Sequence, residues 1–257
     1  MKTLLEKTSD KLVNAFLKNK IIAPIPKKFT KKITEAQKFR KLCESKINKP
    51  VIGFKAGGTS IPVMKKLKEK EPFYASIYKV NFLKSGKRVR ISRSTLGIEL
   101  EVCYQIKKSF FSSNKPVSMK NIYKYISHMA PCIEVVGYRQ RKKGITSFGD
   151  LCSDFGANVK FLLGSKKKFK RINIANLKTN ISNKKIKQSV NGNTNTVFIN
   201  PLNSLRFVLK KVKRDRINLN KDFYVFTGST VGVVPILGKG LYTGKIEKLG
   251  SVSAIIH

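Results

Sequence analysis

Residues 96–102 read LGIELEV, an apolar run broken by two acids, Glu99 and Glu101, set two positions apart. On a β-strand side chains alternate between faces. Both carboxylates therefore point one way while Ile98, Leu100 and Val102 point the other. Two anions side by side on one strand face repel each other unless positive charge lies between them. Residues 131–136, PCIEVV, add Glu134 as a single acid inside another buried-looking strand. A buried lone carboxylate is costly unless it is paired, protonated or bound to a metal. Three such acids, out of only 14 Asp+Glu in 257 residues, need a common reason. An all-carboxylate set suits a hard divalent cation, Mg2+ or Mn2+, with water and substrate oxygens completing the shell. The competing explanation is that each Glu pairs with one of the many Lys or Arg residues.

Working outward, the chain from Pro72 onward is dense in strand-like runs separated by Gly, Ser and Lys turns: 77–83, 89–91, 98–106, 131–136 and 160–163. Residues 51–60, VIGFKAGGTS, form an apolar strand entering a glycine-rich turn, and 172–190 alternate as a hairpin. Strands are also expected in DFYVF, GSTVGVVPI and GSVSAII near the C-terminus. Helices are predicted before this body and within it. The opening segment places Leu5, Leu12, Val13, Phe16 and Leu17 near one helical face, and 34–44 follows with Thr34 as a cap. Ser118 caps a predicted helix carrying Ile122, Tyr125, Ile126, His128 and Met129, and Leu205, Val208, Leu209 and Val212 mark another. These patterns give an α+β chain read as one catalytic domain, 1–257, with a helical part (1–50) and a β-rich body (51–257) holding the metal site.

Charge is the unusual feature, with 54 Lys+Arg and a formal net charge of +40. Such a balance raises the question of nucleic acid as a partner. The lysines are spread along the chain, and no nucleic-acid-binding signature accompanies them. They are therefore read as a solvated surface without a continuous groove, and the densest run, 166–171, as a loop. Cys43, Cys103, Cys132 and Cys152 form no CxxC pair and no disulfide framework. Cys103 and Cys132 are expected core thiols. No secretory or membrane-spanning stretch is visible, so a cytoplasmic location is expected.

The segments GFKAGGTS, EPFYASIY, GIELEV, PCIEVV, DLCSDFGANVKFLLG, NPLNSLRFVL, TGST and GSVSAII occur in one order and spacing. In that respect the chain resembles the group of 2-keto-4-pentenoate hydratases, 2-oxohepta-enedioate hydratases and 4-oxalocrotonate decarboxylases, within the fumarylacetoacetase superfamily. The resemblance implies a mixed β-roll or sandwich with packed N-terminal helices. It implies Mg2+ or Mn2+ on Glu99, Glu101 and Glu134, and a catalytic role for Lys55 beside the substrate. It also implies a substrate-binding role for Ser60, Asp154, Ser229 and Thr230, with Gly228 in the same turn. The chain departs from the group at Phe155, at Gly137 where relatives carry an acid, and at Lys79 and Val80.

The resemblance further implies a lyase of aromatic catabolism, working as a homo-oligomer on a small-molecule 2-oxo acid. The first expectation is a hydratase that converts a 2-hydroxy-alka-2,4-dienoate to a 4-hydroxy-2-oxo acid. The alternatives are a decarboxylase of a 2-oxo-enedioate and a catalytically silent or nucleic-acid-binding protein on the same fold. The retained glutamates argue against the silent form. His128 and His257 carry no expected role in catalysis.

Overall fold

The computed structural model describes residues 2–140 and 147–257. In chain order the elements are α1 (Leu4–Lys18), α2 (Ile33–Ser45), β1 (Val51–Gly57), α3 (Ile61–Lys66), β2 (Phe73–Tyr78), β3 (Phe82–Lys84), β4 (Arg88–Val89) and β5 (Thr95–Ile106). Then come α4 (Met119–Ile122), β6 (Ile126–Gly137), α5 (Phe148–Ser153), β7 (Asn158–Leu163), β8 (Lys167–Lys168), β9 (Lys178–Asn183) and β10 (Gln188–Asn193). The chain closes with α6 (Pro201–Arg214), β11 (Phe223–Ser229), β12 (Gly240–Ile246) and β13 (Gly250–Ile256).

Two sheets result. The larger runs β2-β1-β11-β5-β6-β7-β3, with β8 joined to β6, and the smaller runs β10-β9-β12-β13-β4. In β5 the period of two separates the faces: Ile98, Leu100, Val102, Tyr104 and Ile106 enter the main core, while Cys103 joins a separate cluster with Ile77, Cys132, Phe161 and Phe226. The main core lies between the two sheets and beneath α6, whose Leu205, Val208, Leu209 and Val212 are fully buried. On the opposite face the large sheet curls. Phe82 of the edge strand β3 stacks on Tyr224 of β11 at 4.9 Å, although three strands, β5, β6 and β7, separate them in the sheet. The two faces of β5 thus enter different environments, and Glu99 and Glu101 fall on the inside of the curl. The fold is the mixed α+β roll with two sheets that the sequence led us to expect.

The helices close the inside of the curl. A capping box between Thr3 and Glu6 starts α1, and Asn19 in the left-handed region ends it. Its buried stripe is Leu12, Val13 and Phe16, packed with Phe39, Cys43, Tyr78 and Phe155. Leu5 and Leu17, predicted on that face, are exposed. Helix α2 begins at Ile33 with Lys32 as its cap, so Thr34 sits in the first turn instead.

Larger differences occur where a helical spacing overlaps a strand. Ser118 does cap a helix, through a hydrogen bond from Asn121 N, but the helix is one turn long. Ile126, His128 and Met129 belong to β6, where the cross-strand ladder to β5 outweighs the local 3.6-residue pattern. The predicted strand GSTVGVVPI is largely irregular, and β12 begins later, at Gly240. Part of the basic run 166–171 is the short strand β8, paired with β6, and Arg171 lies 4.4 Å from the Tyr123 ring.

All four cysteines are buried and free. Among the described residues only three of the lysines and arginines are buried, Arg40, Lys55 and Arg139, and each meets a carboxylate: Glu44, Glu134 and Asp154. Burial selects the paired cations and leaves the rest to solvent. No helix is long and apolar enough to cross a membrane, among the residues described.

Arg139 Nη1 lies 2.8 Å from Asp154 Oδ1, and Arg139 N donates to Asp154 Oδ2 at 2.6 Å. Replacing Asp154 by Ala strands a buried guanidinium. The expected loss is about 3–5 kcal/mol of unfolding free energy, read by urea denaturation of the metal-free protein. A loss below 1 kcal/mol would show that the pair does not brace the fold.

Candidate metal centre

Glu99 and Glu134 are direct cross-strand partners in the β5–β6 ladder, and Glu101 stands opposite Cys132. Alternation along β5 and register with β6 therefore bring all three carboxylates to one patch. An oxygen of each lies within 4.8 Å of the others. Glu101 and Glu134 are fully buried, whereas Glu99 is partly exposed and lines a cavity. Glu101 Oε2 accepts from Gly228 N at 2.8 Å, while Glu101 Oε1 and Glu134 Oε2 have no hydrogen-bond partner. Buried, unpartnered carboxylate oxygens facing one another are a donor set awaiting a cation. Octahedral Mg2+ with oxygens at about 2.0–2.1 Å spans about 4 Å between opposite ligands. Three carboxylate oxygens within 4.8 Å of one another suit such an ion.

Lys55 comes from β1, which is separated from β5 by β11. Gly228 of the intervening strand has no room for a side chain. A Cβ there would lie 2.2 Å from Thr59 Oγ1, and the residue has φ +108°. Lys55 Nζ ends 3.0 Å from Glu134 Oε1 and donates to Gly156 O at 3.0 Å. The Gly156 carbonyl is aimed by an unusual turn: Phe155 (φ 51°), Gly156 (φ 70°) and Ala157 (φ 61°) are all left-handed. Each non-glycine residue there costs on the order of 1–3 kcal/mol. Phe155 is held by packing on Phe16, with ring centroids 4.3 Å apart.

Electrostatics follow from this geometry. Burial pushes the Glu101 carboxyl well above the usual range, and the charges of Glu134 and Glu99 push it further. Burial raises Glu134 to about 7, with Lys55 opposing the rise. Glu99 is raised by burial against the same lysine. For Lys55 burial works against the charge, but Glu134, Glu99 and Glu101 outweigh it and raise its pKa. One lysine cannot neutralise three carboxylates, so without further positive charge protons must do so.

A cavity of about 590 Å³ opens onto the cluster. Ser60, Ser229 and Thr230 line it, as do Lys55 and Glu99. The Thr230 hydroxyl already donates to Leu100 O and that of Ser229 to Gly232 O, both at 2.8 Å. Asp154 is not among the lining residues, and both its oxygens serve Arg139. His128 lies on β6 opposite Gln105 and Lys168, and neither it nor His257 lines the cavity. The sequence reading missed the Gly156 carbonyl, the Gly228 amide and the apolar walls supplied by α3 and α5. The first two are backbone groups placed by distant turns, and neither α3 nor α5 was among the predicted helices. Gly137, where relatives carry an acid, has no room for one: a Cβ would lie 2.5 Å from Val159 Cγ2 and 2.7 Å from Ser94 O.

No family model matches the sequence, and no curated protein does. Solved structures do. The 4-oxalocrotonate decarboxylase from Pseudomonas putida G7, complexed with magnesium and adipate, superposes with TM-score 0.84 at 19% identity, covering 100% of both chains. The same enzyme with calcium and acetate gives 0.82 at 20% identity, again over 100% of both chains. Fumarylpyruvate hydrolase from Pseudomonas aeruginosa, in complex with Mn2+ and pyruvate, gives 0.56 at 13%, covering 82% of this chain and 91% of that one. At these identities the likeness is one of architecture: the chain shares the fold of these enzymes.

Proposed function

We propose that the protein is a divalent-cation-dependent lyase that decarboxylates a 2-oxo-enedioate, the vinylogous relative of a β-oxo acid. The observation that carries the reaction type is the composition of the cavity. Its ionisable lining residues, among those described, are Lys55 and Glu99, both at the metal end. A hydratase must activate a water at the far end of the conjugated chain, and a general base must stand within reach of that water. Among the described residues no carboxylate or imidazole lines that region. Decarboxylation needs no added water. The bond to the distal carboxylate breaks, carbon dioxide leaves, and the electron pair passes through the carbon–carbon double bond to the 2-oxygen.

Glu99, Glu101 and Glu134 would hold the ion, Mg2+ or Mn2+, which supplies positive charge where that electron pair comes to rest. Lys55, held between Glu134 and Gly156 O, keeps an ammonium beside the 2-oxo acid head and can give the 2-oxygen its proton. Ser60, Ser229 and Thr230 would edge the head-group end of the cavity. The apolar walls strip water from the departing carboxylate, whose charge is lost as neutral carbon dioxide forms. The full-length likeness to a decarboxylase bound to magnesium and a dicarboxylate supports this choice. Hydration of a 2-hydroxy-alka-2,4-dienoate is the second reading, since the sequence segments resemble hydratases and decarboxylases alike.

Three outcomes are expected. Incubation with 2-oxohex-3-enedioate and Mg2+ should release carbon dioxide in step with loss of the substrate's ultraviolet absorbance. A 4-hydroxy-2-oxo acid appearing from the dienol product at a comparable rate would favour the hydratase instead. Glu101→Gln keeps the volume and removes a charge. It should abolish the rise in thermal midpoint that Mg2+ gives the wild type and cut turnover at least a hundredfold, with the far-ultraviolet dichroism unchanged.

The third outcome concerns pH. Because Glu134 titrates near 7 when folded and near 4.5 when unfolded, the metal-free folded chain binds more protons across that window. Stability must then fall as pH rises from about 4.5 to 7. Scans of the metal-free protein should show a smaller fall in Glu134→Gln, and Mg2+ affinity should strengthen with pH in the wild type. Equal slopes in the two proteins would count against a buried, protonated Glu134.

A further inference from the structure

We infer that the face formed by β8, the turn after α4 and the β12–β13 turn binds the phosphate backbone of a nucleic acid without reading its bases. The inference is independent of the reaction proposed above. It begins with an asymmetry in the sequence. Residues 155–214 contain 15 Lys+Arg and no Asp or Glu, although the whole chain has 14 acids. Outside the metal centre and the Asp154 brace, the ion pairs gather around α1, α2 and the end of α6, on Asp10, Glu35, Glu44, Glu71 and Asp215. Among the described residues no ion pair engages a cation from Lys160 to Lys210, and none engages Lys124 or Lys248. One side of the molecule is thus left with cations and almost no acids.

The fold brings these cations together from distant parts of the chain. Lys166, Lys167, Lys168, Lys170 and Arg171 are all exposed, and their backbone is tied to β6: Lys167 and Lys168 pair with Met129 and His128, and Phe169 N donates to Ser127 O at 2.9 Å. Lys167 Nζ donates to Lys248 O at 2.9 Å, which sets the β12–β13 turn alongside. Arg171 lies 4.4 Å from the Tyr123 ring, itself stacked on Phe169 at 6.0 Å, so Lys124 joins the same edge. Two acids border the face, and both are engaged. Glu247 accepts from Lys178 N, and Asp222 accepts from Lys108 N and Gln105 Nε2. Like charges crowded in this way repel, and an anion that spans several of them relieves the cost. Alternate residues of a strand, such as Lys166 and Lys168, stand about 6.5 Å apart, close to the separation of successive phosphates along a nucleic-acid strand. A guanidinium laid on an aromatic ring is oriented in advance for phosphate oxygens. The Tyr123 ring is already occupied by Arg171 and Phe169, so it offers no platform for a base, and contact with the backbone alone follows. A basic face that seats on a membrane also inserts apolar side chains. Among the described residues no exposed large apolar side chain lies in 119–128, 166–178 or 245–249.

The test follows the anisotropy of a labelled DNA duplex of about twenty base pairs as the full chain is added at a series of KCl concentrations. The expected Kd is on the order of 1–10 μM near 0.1 M salt, the same for duplexes of unrelated sequence, with a slope of log affinity against log salt of about −5. A triple variant, Lys166→Gln with Lys168→Gln and Lys170→Gln, should bind at least about tenfold more weakly, with a slope shallower by about 2 to 3. Lys167 and Arg171 are left in place because Lys248 O and the Tyr123 ring use them. A control triple, Lys27→Gln with Lys28→Gln and Lys31→Gln, removes the same charge from exposed positions beside α2 and should weaken binding by less than about threefold, since salt screens charges this far off. Both variants should keep the wild-type thermal midpoint. Equal losses in the two triples would mean that net charge alone attracts the duplex, and the assignment of this face would be overturned. It is overturned as well if the wild type leaves the duplex free near 0.1 M salt. Displacement of the duplex by poly-glutamate, or by vesicles of phosphatidylcholine and phosphatidylserine in equal parts, at no greater concentration of charge than unlabelled duplex needs would show a face for anions at large and refute the nucleic-acid assignment.

Discussion

Three glutamate carboxylates held together inside a curled sheet, with one lysine among them, are the constraint on which the site depends. In water they would be independent and fully charged. Here Glu101 and Glu134 are fully buried, and Glu99 stands directly across the ladder from Glu134. The β5–β6 pairing that forces them together is an extended antiparallel ladder from Thr95 to Ile106. Backbone hydrogen bonds along that ladder, and the apolar side chains on its other face, supply the free energy that holds like charges close. The resulting deficit of positive charge makes cation binding the natural outcome.

Lys55 shows how such a site is kept from being neutralised outright. A second lysine among the carboxylates would satisfy the local charge and compete with a metal. Lys55 is instead held to one side, on Glu134 and the Gly156 carbonyl, and Glu101 is held by the Gly228 amide. The three consecutive left-handed residues at Phe155–Ala157 are strained in isolation. They persist because Phe155 is buried against Phe16 and the preceding Asp154 is fixed by Arg139. Asp154 and Arg139 therefore contribute to the site from a distance, by bracing the turn that places the Lys55 partner.

The same architecture explains the sparing use of polar groups in the cavity. Among the described lining residues the charge lies at one end, and the remainder is neutral and largely aliphatic and aromatic. A reaction that turns a carboxylate into neutral carbon dioxide gains from that asymmetry, since the departing group is least stable where water is excluded. The overall charge of +40 has little to do with it. Apart from Arg40, Lys55 and Arg139, the cations among the described residues remain at least partly accessible to solvent.

What the sequence determined by itself was local. The two-residue spacing of Glu99 and Glu101 placed them on one face of a strand, since strand geometry is set by the backbone. The apolar setting of Glu134 marked it as buried. Helices α1, α2 and α6 were legible because their periodicity spans several turns. Resemblance across eight segments pointed to the fold before any coordinate was known. Tertiary structure decided everything that depends on elements far apart in the chain. It set the register that puts Glu99 opposite Glu134, and the contact of Lys55 with Glu134 and the Gly156 carbonyl. It also set the use of Asp154 as the partner of Arg139. The segment after Ser118 shows the competition directly: its spacing is helical, yet from Ile126 it is strand, because pairing with β5 on one side and β7 on the other satisfies the backbone over a long ladder while a short helix would leave its ends open. Periodicity records which side of an element is apolar; only packing determines what that side meets.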